Sequence, residues 1–307
     1  MKAMASVDGV ITPAAEARIS LFDRGFLYGD SIYEVVRTYQ GVPFFHEEHL
    51  DRLENSARLA RMKLSQTRQE IKDAISTTVR ASNPGPGEDV FVRYTVTRGG
   101  GALDISPSAS PGTSLVILVK EIPNWNPVFY SHGVRLWIPS IRRNPPLALD
   151  PNIKSGNYLN SVIAVAEAQE EGYHDAFLLS IDHKLTEASN SNVGLVIGGE
   201  VVFPLHEPGT LTGNLRGLTK QAVAEACRRL GVKYTERPLD VTAIAQADEA
   251  FVCSATREVM PVKEIAGTQL STRAFPAGGG PLVRTLREEY KKFVADWVAA
   301  RREEALF

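Results

Sequence analysis

Cysteine is scarce in this chain: 307 residues hold two, Cys227 and Cys253. Two thiols cannot build a disulfide framework, and their separation is unlike a metal knuckle, so a reducing, cytoplasmic compartment is expected. Net charge is almost absent as well. Lys+Arg 34 against Asp+Glu 36 gives a formal net charge of -2. A dedicated nucleic-acid binder needs a basic excess to neutralise phosphates, and an anionic membrane is no better suited as a partner. No uncharged apolar run reaches the roughly 20 residues of a spanning helix. In residues 1–12, Asp8 and Gly9 interrupt any apolar core of the signal-peptide kind. Internal repeats and long charge blocks are also missing. What is present is 43% hydrophobic and 23% charged residues, a globular balance. The length suits one large domain or two smaller ones.

Strand-like and helix-like runs alternate along the chain. Ser31–Tyr39 (SIYEVVRTY) alternates and is rich in β-branched and aromatic residues, which predicts a strand. Residues 46–64 repeat apolar positions every three or four, as do 66–81, which predicts two amphipathic helices. The breaker SNPGPG follows. Strands are expected at 89–97, 113–120, Val134–Ile138, 176–181, 194–197, 201–203, 233–237 and 249–253. Helices are expected at 158–171, Leu218–Leu230 and 281–300, the last burying Leu282, Leu286, Phe293 and Trp297. EIPNWNP at 121–127, with two prolines and no periodicity, is the best boundary. The reading is an α+β protein with a small N-terminal domain (1–120), a linker (121–127) and a larger C-terminal domain (128–307).

Several segments carry candidate chemistry. His46-Glu47-Glu48-His49 spaces two histidines at i,i+3, whereas a zinc helix needs i,i+4. A solvated helix start with acidic first-turn residues is expected there, and no metal site. The runs Gly99-Gly100-Gly101 and Gly278-Gly279-Gly280 lack the strand-to-helix context of a dinucleotide fingerprint, and Gly217-Leu218-Thr219-Lys220 is no phosphate-loop motif. Gly213 to Thr219 is nevertheless a glycine-containing turn feeding a helix, where backbone N–H groups bind an anion readily. Lys154 is the only charged side chain between Asp150 and Glu167. A lysine in such surroundings is where desolvation favours the neutral amine needed for Schiff-base chemistry; the alternative is a loop lysine reaching into solvent. Glu187 is the lone charge in LTEASNSN. It is either a solvated turn residue or a carboxylate held to pair with a ring nitrogen.

Taken together, DRGFLYGDSIYE (23–34), HLDRL (49–53), Asn152 to Tyr158, Glu187 to Asn192, Gly217-Leu218-Thr219 and FVCSATREVMPV (251–262) resemble the class IV aminotransferases. That family uses pyridoxal 5'-phosphate on the fold type IV, D-amino acid aminotransferase-like scaffold. It includes branched-chain and D-amino acid transaminases, (R)-amine transaminases and aminodeoxychorismate lyase. The resemblance runs from about residue 6 to residue 270. It implies that Lys154 carries the cofactor as a Schiff base and moves the substrate proton. It implies further that Glu187 pairs with the ring nitrogen, that Arg52 and the Leu218 and Thr219 amides hold the phosphate, and that Ser191 and Asn192 brace the Glu187 loop. Tyr158 resembles the tyrosine that touches the cofactor's phenolic oxygen. Where a phosphate-binding threonine is common, this chain has Ala255 between Ser254 and Thr256, so the backbone amides of that turn are the expected contribution.

For the substrate, the resemblance draws on Tyr33, Arg37, Arg93 and Arg98. Arg93 sits where branched-chain enzymes often carry Tyr-x-Arg, and Arg98 resembles the carboxylate-binding arginine of D-amino acid enzymes. Phe91 lacks the hydroxyl of the first pattern, and the histidine of the second is missing after Gly99. Val35 leans toward the D-amino acid or amine enzymes, Asn157 and Tyr158 toward branched-chain ones, and Thr38 keeps the lyase in view. The expectation is a ping-pong transaminase acting between aliphatic, branched-chain-like amino acids and a 2-oxo acid such as 2-oxoglutarate. A D-amino acid or (R)-amine transaminase is the alternative. The resemblance also implies a homodimer.

Overall fold

The computed structural model describes residues 1–205, 213–268 and 270–307. In chain order the elements are β1 (Met4–Val7), β2 (Val10–Pro13), α1 (Arg24–Tyr28), β3 (Ser31–Tyr39), β4 (Val42–Pro43), α2 (His46–Leu59), α3 (Arg68–Ser82), β5 (Val90–Thr97) and β6 (Ser114–Glu121). They continue with α4 (Val128–Ser131), β7 (Val134–Ile138), α5 (Leu159–Glu170), β8 (Asp175–Leu179), β9 (Leu185–Ala188), β10 (Asn192–Ile197) and β11 (Glu200–Pro204). The rest are α6 (Leu218–Leu230), β12 (Tyr234–Arg237), α7 (Thr242–Gln246), β13 (Glu249–Ser254), β14 (Glu258–Gly267), β15 (Leu270–Ala274) and α8 (Pro281–Ala299). Helix and sheet are mixed in the manner of an α+β fold. Among the described residues no helix is long and apolar enough to cross a membrane.

The chain divides into two compact units. The first comprises Met1–Pro123, Ile153–Asn157 and Val294–Phe307, and the second Asn124–Asn152 and Tyr158–Phe293. The expected C-terminal domain, 128–307, is therefore not one block: the Lys154 segment and the end of the chain from Val294 count with the first unit.

In the first unit, strands run in the order β2-β1-β6-β5-β3-β4, each antiparallel to its neighbours. Alternation divides β3 between two faces. Ile32, Glu34, Val36 and Thr38 are buried on one, while Val35, Arg37 and Tyr39 stay half-buried on the other with Tyr33. The core face continues through Val90, Val92, Tyr94 and Val96 of β5 and is covered by Leu50, Leu53 and Ala57 of α2 and Ile71, Ile75 and Val79 of α3. The second helix is shorter than its apolar spacing suggests. It ends at Leu59 because Arg61 is left-handed (φ 51) and Met62 N–H turns back to Ala57 O at 2.8 Å. Met62 still packs into the core from the turn, which mimics a continuing helix in the sequence. The third helix starts at Arg68 because Thr67 caps it, in a reciprocal capping box with Glu70.

The second unit holds a mixed sheet in the order β12-β11-β10-β13-β14-β7-β8-β9, with β15 beside β14. β7 lies parallel to both β14 and β8, and α5 supplies the crossover from β7 to β8. One apolar cluster includes Leu136, Phe177, Leu185, Val193, Leu195, Val252 and Ile265. In this unit the strands β9, β14 and β15 fall outside the sequence-based expectations; all three are defined by neighbours rather than by a local apolar pattern. The expected stripe on α8 is partly corrected. Val283, Leu286, Tyr290, Phe293, Val294 and Val298 are buried, while Leu282 and Trp297 are half-buried. The helix start is fixed by Glu249, which accepts from Leu282 N–H at 3.0 Å and Val283 N–H at 2.8 Å.

Candidate active site

In the first unit the Lys154 segment lies along β3. Tyr33 N–H donates to Lys154 O at 2.9 Å, Gly156 N–H to Ser31 O at 2.9 Å, and Ile32 and Ser155 form an antiparallel bridge. Asn157 Nδ2 donates to Gly29 O at 3.0 Å, and Lys154 N–H to Ser56 Oγ at 3.2 Å. The lysine backbone is thus held on both sides, as a residue required to keep fixed geometry should be. Its Nζ donates to the Tyr33 hydroxyl at 3.2 Å and lies 4.3 Å from the Tyr33 ring centroid. The Arg93 guanidinium lies 3.6 Å from the same centroid, a cation–π contact that stiffens the ring. Arg37 shares the face and stacks on Tyr39 at 4.1 Å.

On the opposite face, Glu34 is fully buried. Its carboxylate accepts from Arg52 Nε and Nη2, each at 2.7 Å, and lies 2.7 Å from His49 Nδ1. Burial alone would raise the carboxyl pKa. The Arg52 guanidinium, then His49, outweigh it and hold Glu34 at about 2. An ionised carboxylate only accepts, so His49 Nδ1 carries the proton. Burial keeps His49 below its usual range despite the pull of Glu34. His46 is buried too and held at about 4, chiefly by burial and then by His49 and Lys72, with Glu47 opposing. The expectation of a solvated helix start at 46–49 is corrected: both imidazoles face inward and Glu34 takes one of them.

These shifts set a pH dependence. His46 and His49 have depressed folded pKa values, so their stabilising contribution is complete above the unfolded value of 6.5 and is lost as pH falls, for His46 toward about 4. Glu34 adds a loss below 4.5 as pH approaches 2. Thermal melts should show Tm falling from pH 7 to pH 4, and His46→Gln should flatten part of that slope. An unchanged slope in the variant would assign the acid sensitivity elsewhere.

Arg98 is consumed by structure. Its Nε donates to Asp30 at 2.6 Å, Nη1 to Arg61 O at 3.1 Å and Nη2 to Ala60 O at 3.1 Å, tying the end of β5 to the turn after α2.

In the second unit Glu187 stands on β9, a strand rather than the turn considered from sequence. Its Oε1 accepts from Arg143 Nη2 at 2.8 Å, and Oε2 from Leu215 N–H at 3.1 Å and Asn192 Nδ2 at 3.3 Å. With the side chain 9% exposed, this is a carboxylate of fixed direction. Asn192 Nδ2 also reaches Leu215 O at 3.3 Å. The cap of α6 passes so close that a Cβ on Gly217 would fall 1.8 Å from Asn192 Oδ1, which requires glycine there. Leu218 and Thr219 follow as the first, buried residues of α6, at the end of a helix dipole suited to an anion. Ser191 Oγ accepts from Arg257 Nη1 at 2.9 Å. Ser254, Ala255 and Thr256 are half-buried in the turn between β13 and β14, and Tyr158 is half-buried just before α5.

Of the residues singled out from sequence, the structure places Tyr33, Arg37, Arg52, Arg93, Arg98 and Lys154 in the first unit, and Tyr158, Glu187, Ser191, Asn192, Leu218, Thr219 and Ser254 to Thr256 in the second. The sequence reading missed Glu34, His49, Arg143 and Arg257. Glu34 was detectable, because it is a lone charge on the apolar stripe Ile32, Val36. Arg143 and Arg257 carry no local signal. Within the first unit, a backbone-fixed amine and a rigid guanidinium suit Schiff-base and anion chemistry; within the second, a carboxylate of fixed direction and a glycine-capped helix start suit a ring nitrogen and an anion.

Comparisons with known proteins identify the family. A family model described as amino-transferase class IV matches residues 31–265. A Methanocaldococcus jannaschii protein provisionally named a branched-chain-amino-acid aminotransferase is 32% identical over 291 residues, covering 95% of this chain and 96% of that one. A D-alanine aminotransferase of Listeria monocytogenes is 29% identical over 268 residues, covering 86% and 88%. The crystal structure of the T.th. branched-chain amino acid aminotransferase with pyridoxamine 5'-phosphate superposes with a TM-score of 0.84 at 26% identity, over 99% of this chain and 97% of that one. With the match running through the Lys154, Glu187 and α6 segments alike, the chain belongs to the class IV aminotransferases.

Proposed function

We propose that this protein transfers an amino group between aliphatic, branched-chain-like amino acids and a 2-oxo acid such as 2-oxoglutarate, using pyridoxal 5'-phosphate. The cofactor, when bound, supplies an electron sink for a substrate carbanion. Lys154 would hold it covalently and, as a free amine, would move the proton between the substrate Cα and the cofactor carbon C4′. Tyr33, 3.2 Å from Nζ, orients that amine. Glu187 keeps a proton on the ring nitrogen from its Arg143, Asn192 and Leu215 cage. In the first unit Arg52, braced by Glu34, would offer its guanidinium to phosphate; in the second, the Leu218 and Thr219 amides and the turn Ser254 to Thr256 would offer backbone N–H groups. Tyr158 meets the phenolic oxygen. A homodimer is part of this reading, and the exposed apolar side chains Leu159, Val162 and Ile163 of α5 support a covered face.

The substrate choice is carried by one observation. Arg98, the arginine of the D-amino acid pattern, commits three nitrogens to Asp30 and two carbonyls. Carboxylate recognition thus falls to Arg93 and Arg37, on the same face as Tyr33. Thr38, the residue favouring the lyase, is buried on the other face and donates to Asp89 at 2.9 Å. Val35, half-buried between Tyr33 and Arg37 on their face, supports the second reading, a D-amino acid or (R)-amine transaminase. Half-reactions distinguish the two. Loss of the cofactor's long-wavelength absorbance is expected with L-leucine and L-isoleucine. Bleaching only by D-alanine, D-glutamate or (R)-1-phenylethylamine would overturn the first reading.

A further inference from the structure

Arg257 has no role in the chemistry so far, yet it is among the most heavily engaged side chains of the second unit. Its Nη1 pairs with Asp175 Oδ2 at 2.8 Å, with side chains only 11% and 5% exposed, and donates to Ser191 Oγ at 2.9 Å. Its guanidinium carbon lies 4.8 Å from the Trp125 ring centroid. The turn that carries Arg257 is pinned on its backbone as well. Trp125 Nε1 donates to Thr256 O at 3.0 Å, Tyr130 Oη to Arg257 O at 3.1 Å, and Arg257 N–H to Ser254 Oγ at 3.4 Å. Carbonyls fixed in this way fix their peptide planes, and with them the directions of the adjoining N–H groups. Glu258 closes the turn in the left-handed region (φ 54), a conformation that surrounding contacts must enforce.

The same Nη1 also reaches the residue next to Asn192. Ser191 O accepts from Ala188 N–H at 2.9 Å, and Asn192 Nδ2 donates to Glu187. One guanidinium thus joins the β13–β14 turn to the β9–β10 corner beside the ring-nitrogen carboxylate. A planar, permanently charged guanidinium fixes the direction of the nitrogen that makes both contacts; a freely rotating ammonium holds them less rigidly. We propose that Arg257 is a positioning residue for the phosphate end of the cofactor site. It locks Ser254 to Glu258 against the Ser191–Asn192 corner, so that the phosphate-binding amides and the Glu187 carboxylate keep one fixed separation. The proposal rests on the assignment of that turn to phosphate.

The test compares pyridoxal 5'-phosphate with pyridoxal, which has the same ring and no phosphate. Removing Arg257 alone would strand Asp175, so the main variant is Arg257→Met/Asp175→Asn. Arg257→Lys keeps a positive charge opposite Asp175 without the planar guanidinium, and Ser191→Ala removes the Ser191 contact alone while keeping the ion pair. Dissociation constants come from absorbance titration of the apoprotein, with Tm measured in parallel. In the double variant, affinity for pyridoxal 5'-phosphate should fall roughly 10- to 100-fold, the size seen when a partner behind a ligating group is lost. Pyridoxal affinity should change far less. Arg257→Lys should recover part of the loss, and Ser191→Ala should reproduce part of it. Equal losses for both compounds alongside a lowered Tm, or no loss for either, would overturn the positioning role. Wild-type protein that bound neither compound would instead overturn the cofactor reading, and this proposal with it.

Discussion

Lys154→Ala is expected to abolish transamination, lowering kcat by roughly 10⁴-fold, because one amine serves both as covalent attachment and as proton carrier. The absorbance near the visible edge that marks attached cofactor should vanish. The fold should survive, since the contacts that fix this segment to β3 and α2 use backbone groups of residue 154 that alanine retains: Tyr33 N–H to residue 154 O and residue 154 N–H to Ser56 Oγ. Absorbance spectra and single-turnover kinetics on the purified variant check this. A retained absorbance band would transfer the role to another lysine. Tyr33 would lose its 3.2 Å partner but keep its contact with Arg93, so substrate binding should weaken less than chemistry.

Glu187→Gln is the second large effect. The amide keeps the size of the side chain but removes the charge that holds a proton on the ring nitrogen. Whichever way the amide turns, its NH2 group faces a donor, either Arg143 on one side or Asn192 Nδ2 and Leu215 N–H on the other. A fall of roughly 10²- to 10³-fold in kcat is expected, the usual cost of losing one preorganised electrostatic partner. KM should change much less, because the substrate carboxylate is assigned to Arg93 and Arg37. Steady-state kinetics with L-leucine and 2-oxoglutarate separate the two parameters. A matched rise in KM with kcat intact would remove Glu187 from the chemistry. Arg143 would lose its carboxylate partner, and a lower Tm would report that separately.

Local pattern made several elements legible. β3, β7 and α6 have the ends that alternation, β-branching and a glycine-framed helical period indicate. It was silent where structure comes from distant partners. β9 (LTEA) is a strand because it pairs with β8, and Glu187 is fixed there only by Arg143, Asn192 and Leu215. Lys154 was legible as an isolated charge, but not its place along β3, since no local signal reports a partner, Tyr33, that lies 121 residues away. The histidines at 46 and 49 misled because acidic neighbours suggested solvent, while the pairing of His49 depends on Glu34 on another element. Arg98 shows the converse. Its type suited a carboxylate, and only the tertiary contacts of Asp30, Ala60 and Arg61 disclose that it is already committed.

The division of the chain has an evolutionary consequence. It passes from one unit to the other at Pro123, Asn152, Asn157 and Phe293. A gene fragment ending near Pro123 would lack the strip that pairs along β3, and also Trp297, which stacks edge-on against Phe44 and Phe45 at 5.1 and 5.7 Å. Neither unit is therefore a cassette that recombination could transplant whole. Change in this architecture is suited to substitution within an interleaved chain, in which the Lys154 strip is carried by the same polypeptide that surrounds it.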